Sequence, residues 1–451
     1  MLDTQTQTED QTQQRTGNRL AVFPVNPARL PFFYGWVILA CGTLGVLMSA
    51  PGQTVGVSVF NDFLLDAHQL SRKSLSLAYC LGTLGSALLI SRAGRLYDRF
   101  GGRWMTTLSS VMLAAVLFEL SYSPMIARGC QLLLPSVPPQ QVTFVVMIVS
   151  FFALRFFGQG MLTLSARNMV MEWFEQRRGM AMAVVGISVA FGFSGTPPFF
   201  EMLINWGGWQ WAWRIVAVVV FGFAILTALF SRARPEDHGL APDGPLGKSQ
   251  RKTHPEAQAG RAFTLAEARR TYSFWLFALG AIMSGLVLTA FTFHVVSLFG
   301  KAGISRPEAV SIFIPAAFIS VVFEFVGSWL SDFIKLKYLL MIQVAGIAIL
   351  SFCLSFLQPG WPVYGAVLGM GMMQGMFGIV SGVAWPRFFG RTHLGAISGF
   401  ATSLIVCGTA IGPYIFSAVE EQTGSYQPAT LACGILAVLL LMASFRANRP
   451  A

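Results

Sequence analysis

The stretch from Tyr338 to Pro386, YLLMIQVAGIAILSFCLSFLQPGWPVYGAVLGMGMMQGMFGIVSGVAWP, contains no Asp, Glu, Lys or Arg. A helix rising about 1.5 Å per residue needs about 20 residues to cross a bilayer core of about 30 Å. The stretch is too long for one crossing and suits two, turning at Gln358-Pro359-Gly360-Trp361-Pro362, where Pro and Gly interrupt the helix. Uncharged runs recur at 30–61, 74–91, 129–154, 215–231, 271–300, 392–419 and 422–445. Three more runs, 104–127, 179–213 and 309–331, carry a single acid each: Glu119, Glu201 and Glu324. These runs predict twelve membrane-spanning helices, since a barrel would show alternating strands of about ten residues instead.

Composition agrees. Hydrophobic residues make up 54% of the 451 and charged residues 11%, against roughly a quarter charged in a water-soluble domain. The six cysteines are scattered without metal-ligand or disulfide spacing and read as small packing residues. With the N-terminus placed in the cytoplasm, 24 Lys and Arg fall on the inner side and 6 on the outer, with Arg155 left inside a span. Both termini are therefore expected inside. The net charge of +11 is accounted for by topology and gives no reason to expect a nucleic-acid partner. Residues 1–28, rich in Gln and Thr, lack the apolar core of a signal peptide and are expected to be disordered.

Shifted by 215 residues, Gln159-Gly160-Met161 aligns with Gln374-Gly375-Met376, Trp173-Phe174 with Phe388-Phe389, Ala181 with Ala396 and Pro198 with Pro413. A second pair, Gly94-Arg95-Leu96-Tyr97-Asp98 and Ser328-Trp329-Leu330-Ser331-Asp332, aligns at 234, a difference absorbed by the longer outer loop near Ser121 to Gln141. The chain is thus expected to be an all-α polytopic membrane protein with two pseudo-symmetric six-helix bundles. The segments are a cytoplasmic tail (1–32), the first bundle (33–230), a polar linker (231–270), the second bundle (271–445) and a cytoplasmic end (446–451). Duplicated halves point to a solute site between them near mid-bilayer, opened alternately to each side.

At these residues the chain resembles the major facilitator superfamily. Gly94-Arg95-Leu96-Tyr97-Asp98-Arg99-Phe100-Gly101-Gly102-Arg103 matches that family's signature between the second and third spans, and Ser328 to Lys337 is a degenerate second copy. The resemblance implies a gating motif of Gly94, Asp98, Arg99, Arg103, Ser328 and Asp332. In it Asp98 would pair with neighbouring arginines or with the helix N-terminus near Gly395. Anchoring by the arginines alone is the simpler alternative. Tyr34-Gly35-Trp36, Gly56-Val57-Ser58-Val59-Phe60 and Trp173-Phe174-Glu175-Gln176-Arg177-Arg178-Gly179-Met180-Ala181 are similar to the monocarboxylate and oxalate/formate transporters within that superfamily.

Ionisable groups inside a membrane are costly and mark function. Glu324 lies eight residues before Asp332, near the middle of the core, where burial favours the protonated carboxyl and suits a proton-coupling group. It stands where the monocarboxylate transporters carry a substrate-binding arginine, and Val55 stands where they carry a lysine, so neither familiar carboxylate clamp is present. Arg155 lies mid-membrane in the fourth span and resembles that span's family signature, although Gln159-Gly160 comes one residue late. Its guanidinium suits either an anionic substrate or an ion pair with Glu324. His294, symmetry mate of Val55, is a candidate for substrate contact or proton relay, with local hydrogen bonding as the alternative. Gln53 and Thr54 follow the helix break at Pro51-Gly52 and are expected to line the cavity. Glu119 and Glu201 read as interfacial, and His68 as a loop residue.

No nucleophile elbow, phosphate loop or metal-ligand cluster appears, so no enzymatic activity, cofactor or metal is expected. The expected function is secondary active transport of a small organic solute, an organic acid coupled to protons, with Gln53, Thr54, Arg155 and His294 binding substrate. The expected setting is a bacterial inner membrane, with the chain monomeric in the lipid bilayer. Proton-antiport efflux of drugs or metabolites is the alternative, although Gly192-Phe193-Ser194-Gly195-Thr196-Pro197-Pro198 lacks the Gly-Pro-x-x-Gly-Gly of that antiporter group. A transport-dead sensor using the linker is a third possibility.

Overall fold

A computed structural model describes residues 26–174, 178–232, 234–243, 263–330, 334–389 and 394–448. Twelve helices are long and apolar enough to cross a membrane. The first six are α1 (Gly35–Gly52), α2 (Arg72–Ile90), α3 (Arg99–Ser121), α4 (Pro139–Trp173), α5 (Val184–Gly207) and α6 (Trp209–Phe230). The second six are α7 (Tyr272–Lys301), α8 (Arg306–Ser328), α9 (Leu336–Ser355), α10 (Trp361–Ser381), α11 (Phe400–Thr423) and α12 (Gln427–Ser444). No strand occurs among the described residues.

Each set of six builds its own core. One buried apolar cluster runs from Phe263 to Ala447 without any buried residue from the first half. The largest cluster of the first half runs from Val57 to Phe223 and takes only Phe293 from the second. The halves meet where α5 packs on α8 and α2 on α11. Glycines set the closest approaches. A Cβ on Gly369 of α10 would stand 2.5 Å from Leu350 N of α9, and one on Gly375 would stand 2.3 Å from Ser320 O of α8. Backbones this close exclude any side chain.

Two irregular turns meet in the first bundle. The α-helix of α1 stops at Met48, passes through a 3₁₀ turn over Ala50–Gly52, and resumes at Thr54 after Gln53 adopts an extended conformation (ψ 157°). Proline cannot donate into the helix, so Pro51 breaks the ladder here. Opposite it, α4 is a π-helix from Arg155 to Leu162, which absorbs an additional residue in one turn. This is where Gln159-Gly160 comes one residue late in sequence. Gly52 and Gly158 lie against each other at the crossing, a Cβ on Gly52 falling 2.7 Å from Gly158 Cα. At the face carrying the termini, the linker's described ends dock on α4 and α10: Asp243 N donates to Trp173 O (3.1 Å) and Phe263 N to Phe389 O (2.9 Å).

Candidate functional site

A cavity of about 380 Å³ lies between the bundles. Gln53 and Thr54, at the restart of α1, are on its wall, together with Gln159 and Ser194 from the first bundle. The second bundle adds Ser284, Thr289, Thr292, Gln374 and Thr409. Phe193, Phe313, Phe377, Met370 and Met373 supply much of the apolar surface, and none of the lining residues is charged. Polar side chains that hydrogen-bond without formal charge are set here among aromatics and thioethers, the mixed lining common to small-molecule pockets.

Arg155 stands behind this wall, 1% exposed. Its Nη1 donates to Gly52 O (3.0 Å) and to Thr54 Oγ1 (3.4 Å), and its guanidinium carbon lies 5.2 Å from the centre of the Tyr79 ring. Among the described residues no carboxylate pairs with it, and its Nε has no partner. The expected cavity-lining arginine is therefore a brace one layer back. The cause is the extended Gln53: Gly56 N donates to Gln53 O (3.0 Å) rather than to Gly52 O, and the guanidinium fills the place left at the Gly52 carbonyl. The expected Arg155–Glu324 ion pair is not formed. Thr54 Oγ1 also meets Tyr79 OH at 2.7 Å. Either hydroxyl can donate in that pair; when Tyr79 donates, the threonine hydroxyl has its own hydrogen for an acceptor in the cavity. Gln53 is held differently, its Nε2 donating to Ser49 Oγ (3.1 Å) and Thr163 Oγ1 (3.3 Å).

His294 is fully buried and off the cavity wall. Its Nε2 donates to Pro413 O of α11 (2.8 Å), and its ring lies between Phe293 and Tyr426. The reason is geometric. Its symmetry mate Val55 lies just past a helix break and lines the cavity, whereas α7 is one continuous helix, which turns position 294 towards α11.

Glu324 lies on α8 towards the face that carries the termini. A Cβ on Gly186 of α5 would stand 3.8 Å from its Oε1, and one on Gly378 of α10 would stand 4.0 Å away. The half-buried carboxyl thus sits where the two bundles meet, and it is not one of the residues lining the cavity. No hydrogen bond or ion pair joins it to another described residue.

At the opposite face the bundles are pinned. Arg306 Nε donates to both oxygens of Glu201 (2.8 Å each), its Nη1 to Asp62 (3.3 Å) and its Nη2 to Val59 O. Lys73 pairs with Glu421 (3.0 Å), and Asn61 Nδ2 donates to Phe293 O (2.6 Å). Glu201, near the outer end of α5 as expected, thus ties the two bundles together. Glu119 accepts from Ser150 (3.1 Å), and His68, buried, meets Ser123 Oγ (2.9 Å).

Of the gating motif, Arg103 Nε donates to Ala228 O of α6 (2.8 Å), Arg99 is exposed over Phe100, and Ser328 is exposed. Gly94 and Asp98 are on a helical stretch, but their surroundings lie outside the described residues, as do Asp332 and the surroundings of Gly395. Sequence reasoning missed Gln159, Gln374, Tyr79 and Thr163. The first two carried a signal, their identical placement in the repeat.

Twelve helices in two bundles around one inter-bundle cavity define a membrane transport fold. The chain belongs to the Major Facilitator Superfamily, whose family model matches residues 42–413. It is 21% identical over 409 residues to a hexuronate transporter of Bacillus subtilis, covering 87% of this chain and 90% of that one. It is 22% identical over 291 residues to monocarboxylate transporter 12 of Homo sapiens, covering 59% and 55%. Against several curated relatives the match spans about half of their length. The crystal structure of a D-xylose-proton symporter superposes with a TM-score of 0.65 at 16% identity, covering 92% of this chain and 98% of that one. These relatives are transporters of small solutes, not enzymes.

Proposed function

We propose that this protein is a secondary active transporter that carries a small organic acid through the central cavity by alternating access, with Glu324 as the proton-coupling group. The observation that carries the proposal is the buried Arg155 cation with no carboxylate partner among the described residues, one hydroxyl away from the cavity. A carboxylate bonded to Thr54 would lie about 6 Å from the guanidinium. At an effective dielectric of about 20 that is an attraction of about 3 kcal/mol. The names of two relatives, hexuronate transporter and monocarboxylate transporter 12, also specify carboxylates.

Glu324 suits the coupling role because it is half-buried at the bundle interface without a counter-charge among the described residues, where taking up a proton removes an expensive membrane-embedded charge. The excess of Lys and Arg on one side supports both termini in the cytoplasm of a bacterial inner membrane. The pins at Arg306 and Lys73 then hold the outer face shut.

Uptake into proteoliposomes under an imposed pH gradient tests the coupling. Organic-acid uptake is expected to rise with the gradient in the wild type and to become insensitive to it in Glu324→Gln. Unchanged gradient dependence in that variant would remove Glu324 from the coupling role.

A further inference from the structure

Gln159 and Gln374 are repeat mates, 215 residues apart, and both line the cavity, one from each bundle. A carboxamide offers two donors and an acceptor, and in a low-dielectric cavity each is costly to leave unmade. The other glutamines near the cavity spend their amide hydrogens within the protein: Gln53 Nε2 donates to Ser49 and Thr163, and Gln343 Nε2 to Ser284 (2.8 Å). Neither Gln159 nor Gln374 has a hydrogen bond to a described residue, although both are partly buried. The π-helical turn of α4 contains Gln159, and Gly375, beside Gln374, holds α10 tight on α8. Both amides are thus carried on packed helices rather than loops.

We infer that Gln159 and Gln374 form a two-sided amide clamp for oxygen groups on the body of the solute. Resting on the acid site proposed above, this selects an oxygenated acid, one bearing hydroxyl or carbonyl groups, over a plain alkyl or aryl acid. The carboxylate docks at Thr54 while the body's oxygens reach the two amides, so a bound solute touches both bundles at once. A site built to hydrogen-bond a hydroxyl rejects an analogue without it, because its own polar groups are then left unpaired.

The test is calorimetric titration of the full-length protein with glucuronate, cyclohexanecarboxylate and glucose. The first two are ring monocarboxylates that differ in their ring and hydroxyl oxygens, and glucose keeps the oxygens without the acid. Glucuronate is expected to bind at least about tenfold more tightly than cyclohexanecarboxylate. Gln159→Met and Gln374→Met, which keep the side-chain length, are each expected to cut that preference about tenfold by weakening glucuronate alone, the size of one net hydrogen bond. Should either variant melt early, Gln159→Asn and Gln374→Asn, which keep the amide but withdraw it, serve instead. Equal binding of the two acids by the wild type, or an unchanged preference in both variants, overturns the clamp while leaving the acid site standing. Glucose binding as tightly as glucuronate, and weakened by the same variants, upholds the clamp and overturns the acid site. Binding of no probe overturns the clamp.

Discussion

Helices α4 and α10 hold equivalent places in the two bundles, and the comparison separates what duplication kept from what it did not. At one position they agree, Gln159 matching Gln374, and both face the cavity. Four residues earlier they part: Arg155 braces the broken α1, while its mate Met370 is an apolar piece of the wall. One residue later both carry glycine, but Gly375 is pressed on the α8 backbone, whereas Gly160 has the Ile90 side chain nearest (3.3 Å) and the Arg155 carbonyl at ordinary contact distance (3.5 Å). Ile90 is itself the mate of Glu324 under the second alignment. Near the cavity the embedded charges thus fall at non-equivalent places, the Arg155 cation in the first bundle and the Glu324 acid in the second. The repeat supplies matching neutral walls, and departures from it supply the electrostatics.

Substitution at mated positions sharpens or breaks this comparison. The largest effect is expected at the charge. Arg155→Gln should weaken organic-acid binding about a hundredfold, from an attraction of about 3 kcal/mol, whereas Met370→Gln should change it less than about threefold; titration calorimetry measures both. Comparable losses in the two variants would make the asymmetry irrelevant.

Next come the glycines. A Cβ on Gly375 would sit 2.3 Å from Ser320 O and 2.8 Å from Phe323 Cβ, but one on Gly160 only 3.3 Å from Ile90 Cγ1. Gly375→Ala should therefore destabilise by about 2 kcal/mol and Gly160→Ala by under about 0.5 kcal/mol in denaturant unfolding. A flexible side chain can yield where a backbone carbonyl cannot.

The smallest effect concerns acid. Burial pushes the His68 imidazole, beyond α1 and outside the membrane-spanning helices, down to about 4. Its neutral form is favoured by folding, so the stability it contributes is complete above pH 6.5 and is lost as pH falls from 6.5 towards 4. At the matching end of α7, Lys301 instead donates to Glu420 and to Gly424 O (2.7 Å). Melting temperature from pH 7 to pH 5 should fall in the wild type, by the equivalent of about 1 kcal/mol allowing for solvent screening, and fall less in His68→Gln. Equal slopes would show that this histidine does not make the first bundle acid-sensitive.

The spans and the duplication were legible because apolar runs of membrane length and shared landmarks are carried by the residues themselves. Gln53 and Thr54 were legible as cavity residues because Pro51-Gly52 marks a break and they are the polar groups beside it. The depth of Arg155 was readable, but its acceptor was not, since a carbonyl freed at Gly52 leaves no letter in the sequence. His294 was assigned through symmetry with Val55, and that inference fails where one mate follows a break and the other lies in a continuous helix. The late Gln159-Gly160 read as a weakened signature and is in fact the π-helical turn of α4. Gln159 and Gln374 were read as markers of the repeat, because identity between halves suggests scaffold before site. Arg306 was counted among outer-loop charges, and only the folded chain brings Asp62 and Glu201 to it.

The central claim is that a carboxylate enters the neutral cavity and points at the end backed by Arg155. A structure of the protein bound to a bromine-labelled hydroxy acid, with the bromine located by anomalous scattering, tests it directly. The carboxyl group is expected at Gln53 and Thr54, about 6 Å from the guanidinium, with the bromine towards Phe377 and Met373. A carboxyl group turned to the Gln374 and Thr409 side, with the bromine against Thr54, would contradict it.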